Sequence, residues 1–325
     1  MNTFLKKPVA VTIAILVVIA GVTFFVSKKG FFRSGSSSGQ SAQVEKDIET
    51  LENDKASLPE KSQALMRLAI QENSEALDFI EEQIKRNNTQ IVPWATRALG
   101  YFTSSEGLKI LKQQLQSENP LVREAAIDAL GTRNHPEKLK LLEESKAAAK
   151  SDQEKARFMI AEMRLNSNPE AREGLVKAIL SELDRSTLDP AARIYLVSQV
   201  FFLNPRSPEV EKFFAKLITQ VKTSDEFTMV ATIRALKIYC PAQRYTIFKE
   251  ALARPNLTPA AVTQTLNELI FHSGPDALAI FKASEKRLNV NPDFAENLRK
   301  QLENPQIPSP CSAKAAPAAA TKTKP

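Results

Sequence analysis

Residues Asn119 to Gly131 read NPLVREAAIDALG, and the reading of this stretch decides the fold. Asn119 can cap a helix, Pro120 suits the first helical position, where no N–H is needed, and Gly131 can take the left-handed conformation that ends one. Val122, Ala125, Ala126, Ala129 and Leu130 recur at helical spacing and form one apolar stripe, which Ile127 widens. Arg123, Glu124 and Asp128 lie off that stripe. Three alanines on the buried face let a neighbouring backbone come close, which suits a helix packed on more than one side.

The same part recurs. Thirty-one residues earlier the chain reads PWATRALG, Pro93 to Gly100, with Leu99 in the place of Leu130 and Gly100 in that of Gly131. The register runs back another 31 residues to Leu68, and forward to Met163, Val200, Leu236 and Leu269 at steps of 33, 37, 36 and 33. After each of these seven anchors comes a second amphipathic stretch: SEALDFIEEQIK, SEGLKILKQQL, PEKLKLLEESK, PEAREGLVKAIL, SPEVEKFFAKLI, PAQRYTIFKEAL and GPDALAIFKASEK. Each unit therefore predicts helix, turn, helix.

A period of this length with two helices per unit signals a solenoid, because one pair cannot bury its apolar faces alone and neighbours must stack into a continuous core. The units resemble HEAT or HEAT-like repeats. The resemblance is carried by P-x-V-R-x-A-A-x-A-L-G at Pro120 to Gly131, with Asn119 where that pattern usually has Asp, and it covers about residues 59 to 303. Tetratricopeptide units fit worse, since their Trp, Gly, Tyr and Pro landmarks are missing. The resemblance implies an all-α chain, a right-handed α-solenoid of about seven helix-turn-helix repeats over 58–303, and a scaffold that binds partners. It also admits an alternative, since some HEAT-like repeat proteins are lyases on chromophore–protein adducts.

The composition agrees with a helical body. Only nine glycines occur in 325 residues, and four of them precede residue 40, too few later on for hairpin turns or phosphate loops. The net charge of +7 suggests nucleic acid until it is located. Residues 1–33 carry Lys6, Lys7, Lys28, Lys29 and Arg33, and the tail carries Lys314, Lys322 and Lys324, with no acids in either. Removing these eight leaves 36 basic against 37 acidic residues, so the body is at −1 and offers no general phosphate-binding charge.

Residues 8–27, PVAVTIAILVVIAGVTFFVS, hold no charge, and twenty helical residues span about 30 Å, the thickness of a bilayer core. This predicts one transmembrane signal-anchor helix after a short basic N-terminus, residues 1–7. The rival is a cleaved signal peptide with Val18-Ile19-Ala20 as its site, but the apolar run continues six residues further. Flanking charge barely discriminates orientation. The short basic head looks like a bacterial signal anchor, so the expectation is a single-pass inner-membrane protein with the solenoid on the periplasmic side, a cytoplasmic solenoid being the alternative. Residues 28–43 are expected as a flexible Ser/Gly linker, 44–57 as a capping helix with Val44, Ile48 and Leu51 inward, and 304–325 as a disordered Pro/Ala/Lys tail.

The chain nominates no catalytic group. GSSSG, Gly35 to Gly39, matches a nucleophile elbow only formally, because it sits in a low-complexity spacer. His135 and His272 read as isolated turn residues without metal-ligand spacing. Cys240 and Cys311 read as one half-buried and one exposed thiol, with a disulfide as the alternative outside the cytoplasm. Trp94 and the pairs Phe201-Phe202 and Phe213-Phe214 read as core, with one member of each pair able to reach the surface. The resulting expectation is a membrane-tethered, non-catalytic scaffold that holds a protein partner on its concave face, with no cofactor, no metal, no nucleic acid and no small-molecule substrate. Stepping by 31 from Glu81 gives Lys112 and Glu143 at equivalent positions on the second helices, and with Gln113 beside Lys112 these form the expected partner surface.

Overall fold

The structure, a computed structural model, describes residues 37–72, 74–286, 290–306 and 309–311. Among them there are sixteen α-helices, two short 3-10 helices and no strand. After α1 (Ser37–Glu52) the helices come in pairs: α2 (Leu58–Ile70) with α3 (Ser74–Lys85), and α4 (Val92–Ala98), continued by the turn Leu99–Tyr101, with α5 (Ser105–Gln114). Next come α6 (Pro120–Leu130) with α7 (Pro136–Lys146), α8 (Asp152–Leu165) with α9 (Pro169–Asp184), and α10 (Pro190–Leu203) with α11 (Pro208–Thr219). The last pairs are α12 (Glu226–Tyr239) with α13 (Arg244–Leu252), and α14 (Pro259–Glu268), continued by the turn Leu269–His272, with α15 (Pro275–Glu285). A single helix, α16 (Pro292–Glu303), follows.

The seven anchors are the centre of this architecture. Leu68, Leu99, Leu130, Met163, Val200, Leu236 and Leu269 are all 0% exposed, so the spacing marks the core residue of each first helix. Helix starts follow the expected chemistry: Ser57, Ser104, Ser151, Ser207 and Thr258 each accept from a backbone N–H of the first turn, and proline occupies the first or second position of many helices. The body is thus built of paired helices that repeat at the spacing of these anchors.

The chain divides into two compact units, residues 1–129 and 130–325. In the first, α1 packs on α2, and α2 and α3 pack on α4. Asp47 of α1 is fully buried and takes Arg67 of α2 at 2.6, 2.9 and 3.1 Å, a polar link that a search for apolar spacing overlooks. In the second unit the first helices stack in the order α8, α10, α12, α14, while α9 packs on α11 and α13 on α15. Polar ties between neighbouring repeats keep the sequence period, with separations of 31 to 35 residues: Arg97 to Asp128, Arg164 to Gln199, Asp184 to Lys216 and Lys237 to Glu268. Such ties belong to an array in which each repeat meets only its neighbours.

Several expectations need correction. Gly131 has no positive φ, so it does not stop α6 by a left-handed turn. A Cβ there would lie 2.9 Å from Ala161 Cα and 3.1 Å from Ala161 Cβ, so the glycine admits the α8 backbone instead. The left-handed stop falls on Cys240, with φ 50° and ψ 49° at the end of α12. Arg123 and Glu124 are buried although they lie off the apolar stripe, and the Arg123 guanidinium donates to the carbonyls of Ser117 and Glu118 at 2.8 and 2.9 Å. Helix α1 begins at Ser37, inside the stretch expected as a linker, because once a helix is docked each added residue gains a hydrogen bond without a new nucleation cost. No helix among the described residues is long and apolar enough to cross a membrane, and the run 8–27 lies outside them.

Candidate functional site

The expected partner surface is distributed over both units. Glu81 on α3 is half-buried and takes Lys85 at 2.9 Å within its own helix. Lys112 and Gln113 are exposed on α5, and Glu143 is exposed on α7, in the other unit.

A denser arrangement lies in the second unit, along the C-terminal ends of three consecutive first helices. Arg234 and Lys237 are three residues apart on α12 and so share a face. Both reach Glu268 at the end of α14: Lys237 Nζ to Oε2 at 2.9 Å and Arg234 Nε to Oε1 at 3.6 Å. The Lys237 and Glu268 side chains are each only 11% exposed, so water screens this pair little. Lys237 Nζ also sits 4.2 Å from the centre of the Phe271 ring, and the Arg234 guanidinium 6.0 Å from that of Phe202. Phe202 is 41% exposed, while its neighbour Phe201 is fully buried and packs on Phe213, Phe214 and Tyr239 at centroid distances of 5.9, 5.7 and 6.2 Å. The pair therefore has one member in the core and one at the surface. Two cations thus share the Glu268 carboxylate.

Below the rim lies a cluster that the sequence reading assigned to turns and separate thiols. Cys240 and Cys311 form a disulfide with Cα atoms 5.3 Å apart. Cys311 is 5% exposed, so the chain is pinned to the core seven residues into the expected tail. His272 is 0% exposed rather than a surface turn residue. Its Nδ1 lies 3.7 Å from Cys311 Sγ, its ring meets Phe248 edge-on at 5.2 Å, and the Tyr245 hydroxyl donates to its carbonyl at 2.8 Å. Burial, with the positive charges of Arg244 and Lys237 adding to it, pushes the His272 pKa down to about 4, so the imidazole is neutral at pH 7. The one legible signal for this pairing was the parity of two cysteines, since contact between positions 71 residues apart depends on the stacked fold. His135, by contrast, is a turn residue as expected, capping α7 through Nδ1.

A cleft of about 290 Å³ opens beside the aromatic cluster, with Asp184, Lys216 and Asp225 next to Phe213 and Leu217. Among the described residues no group of three or more His, Cys, Asp or Glu side chains is placed to hold a metal ion.

One comparison with known proteins finds the repeat. The family described as HEAT repeats matches residues 77–163, from within α3 to near the end of α8, the part of the chain where the motif is plainest. No curated protein sequence matches. Among solved structures, human deoxyhypusine hydroxylase in complex with glycerol matches at 17% identity and a TM-score of 0.40, over 82% of this chain and 98% of that one. That protein is an enzyme by name, which goes against the expectation of a non-catalytic scaffold. At this similarity neither its activity nor its substrate carries over.

Proposed function

We propose that this chain serves a reaction on a protein client, as the enzyme or as the accessory of one, and holds the client on the rim of Phe202, Arg234, Lys237 and Phe271. The observation that carries the reading is the exposure of Phe202 beside Arg234. Full burial of a phenylalanine is worth about 1.5–3 kcal/mol, and Phe202, 41% exposed, leaves a part of this that a docking surface would recover. Arginine and aromatic side chains are also the ones that most often dominate protein interfaces. Arg234, with its side chain 27% exposed at this rim, favours an acidic client segment. Asp184, Lys216 and Asp225 in the neighbouring cleft set charges of both signs against apolar walls, which supports a reacting group of the client being received there.

The uncharged run 8–27 would tether the body to a membrane. The Cys240–Cys311 disulfide supports an oxidising compartment, and so the periplasmic over the cytoplasmic side of a bacterial inner membrane. A photo-crosslinking phenylalanine analogue at position 202 of the full chain, in native membranes, tests the rim. Leu121, the other large exposed apolar residue among those described, serves as the control position. A client crosslinked from 202 but not from 121, and lost with Arg234→Glu, supports the reading. Equal crosslinking from both positions overturns it.

A further inference from the structure

We propose that Cys240–Cys311 is a thiol-exchange site, attacked at Cys240 by a thiol of a small molecule or protein, with Cys311 leaving as a thiolate held by the His272 N–H. The proposal does not rest on the client reading, and of the rim's side chains only Lys237 acts here, through its charge.

Access sets the direction first. Cys240 is half-buried at the end of α12, whereas Cys311 is enclosed, so an incoming sulfur meets Cys240. Electrostatics points the same way. Cys240 caps the C-terminus of α12, with its N–H on Leu236 O at 2.8 Å, and the negative end of a helix disfavours a thiolate there. Cys311 faces the imidazole of His272, with the positive charges of Arg244 and Lys237 acting on the same pocket. The neutral imidazole carries one N–H. Because Nε2 is buried with no partner, placing the proton on Nδ1 leaves a bare lone pair at Nε2, which costs less than an unpartnered N–H, and aims the donor at Cys311 Sγ.

The exchange balances without an outside oxidant. The attacking thiolate forms a new S–S bond to Cys240 as the Cys240–Cys311 bond breaks, and the electron pair goes to Cys311 Sγ. A second thiolate then attacks the mixed disulfide, leaving Cys240 as a thiolate and the reagent as its own disulfide. When Cys311 takes a proton, Leu236 O, 4.0 Å away, is placed to accept from the thiol. The backbone contributes to the same outcome: Cys240 is held in the left-handed region, which is unfavourable for a residue with a Cβ, and breaking the bond removes one constraint that keeps it there. Exchange also leaves Ser309 Oγ, which donates to Phe271 O at 2.9 Å, as the neighbouring tie to the core.

The test uses the folded full chain and glutathione as the probe thiol, with acid quenching, alkylation of free thiols and peptide mapping. The expected product carries glutathione on Cys240 and the alkyl label on Cys311. Glutathione on Cys311, or no reaction until denaturant is added, overturns the proposal. His272→Phe should slow formation of the adduct about tenfold, the worth of one hydrogen bond to a charged atom, while His272→Gln, which keeps an N–H donor, should stay within a few-fold of the parent. Equal rates for all three remove His272 from the step. If His272→Phe does not fold, the adduct position in the parent and the rate of His272→Gln still decide the outcome.

Discussion

Replacing Gly131 separates two reasons for a glycine that look alike in a sequence. The Cβ of Gly131→Ala would stand 2.9 Å from Ala161 Cα and 3.1 Å from Ala161 Cβ, where ordinary contact begins near 3.4 Å. The obstacle is backbone in the middle of α8, fixed by that helix's own hydrogen bonds, so relief requires α8 to move as a body. Overpacking of this kind costs about 1–3 kcal/mol. Asn at 131 adds further atoms at the same place and should cost more than Ala. A left-handed stop would give the opposite order, because Asn tolerates that conformation better than Ala does. Urea unfolding of the three proteins measures the order directly, as a shift in midpoint at constant slope. Adding Ala161→Gly to Gly131→Ala removes the Cβ–Cβ contact but leaves the Cα one, so it should restore part of the loss and show coupling in the double-mutant cycle. An Asn variant more stable than the Ala variant, or an Ala variant as stable as the parent, would refute the close-approach argument.

Ala126→Asp places an unpaired carboxylate at a fully buried position of α6 and should cost about 3–5 kcal/mol, seen as loss of cooperative thermal unfolding; a melt like the parent's would contradict the buried face. His272 titrates near 6.5 when unfolded and about 4 when folded, so the unfolded chain binds the extra proton between those values and the parent loses stability as pH falls through that window. The loss attributable to this residue is about 1.4 kcal/mol per pH unit, or about 3 kcal/mol in all, and His272→Gln should flatten the stability-against-pH curve by that slope; an unchanged slope would mean the imidazole is not held neutral. Cys311→Ala opens a loop of 71 residues, and the chain-entropy account puts the loss at up to about 4 kcal/mol, measured by denaturant titration against the oxidised parent. Lys112→Glu changes an exposed residue and should move stability by less than about 1 kcal/mol, so reduced capture of a partner without a change in melting would make the second-helix row a contact surface.

The sequence by itself determined the repeat. Apolar residues at helical spacing, recurring with the same anchor, are buried by stacking pair on pair, and all seven anchors are fully buried. It also determined most helix starts, because Ser, Thr, Asn and Asp caps and early prolines act within a single turn and need no distant partner. Tertiary structure decided what depends on how one repeat faces the next. The role of Gly131 depends on where α8 passes, and the Cys240–Cys311 bond on the stacking of the final repeats. The rim of Phe202, Arg234 and Lys237 has the same origin. Local spacing says which side of a helix is apolar, but only the neighbouring helix says which polar residues along its edge are brought together.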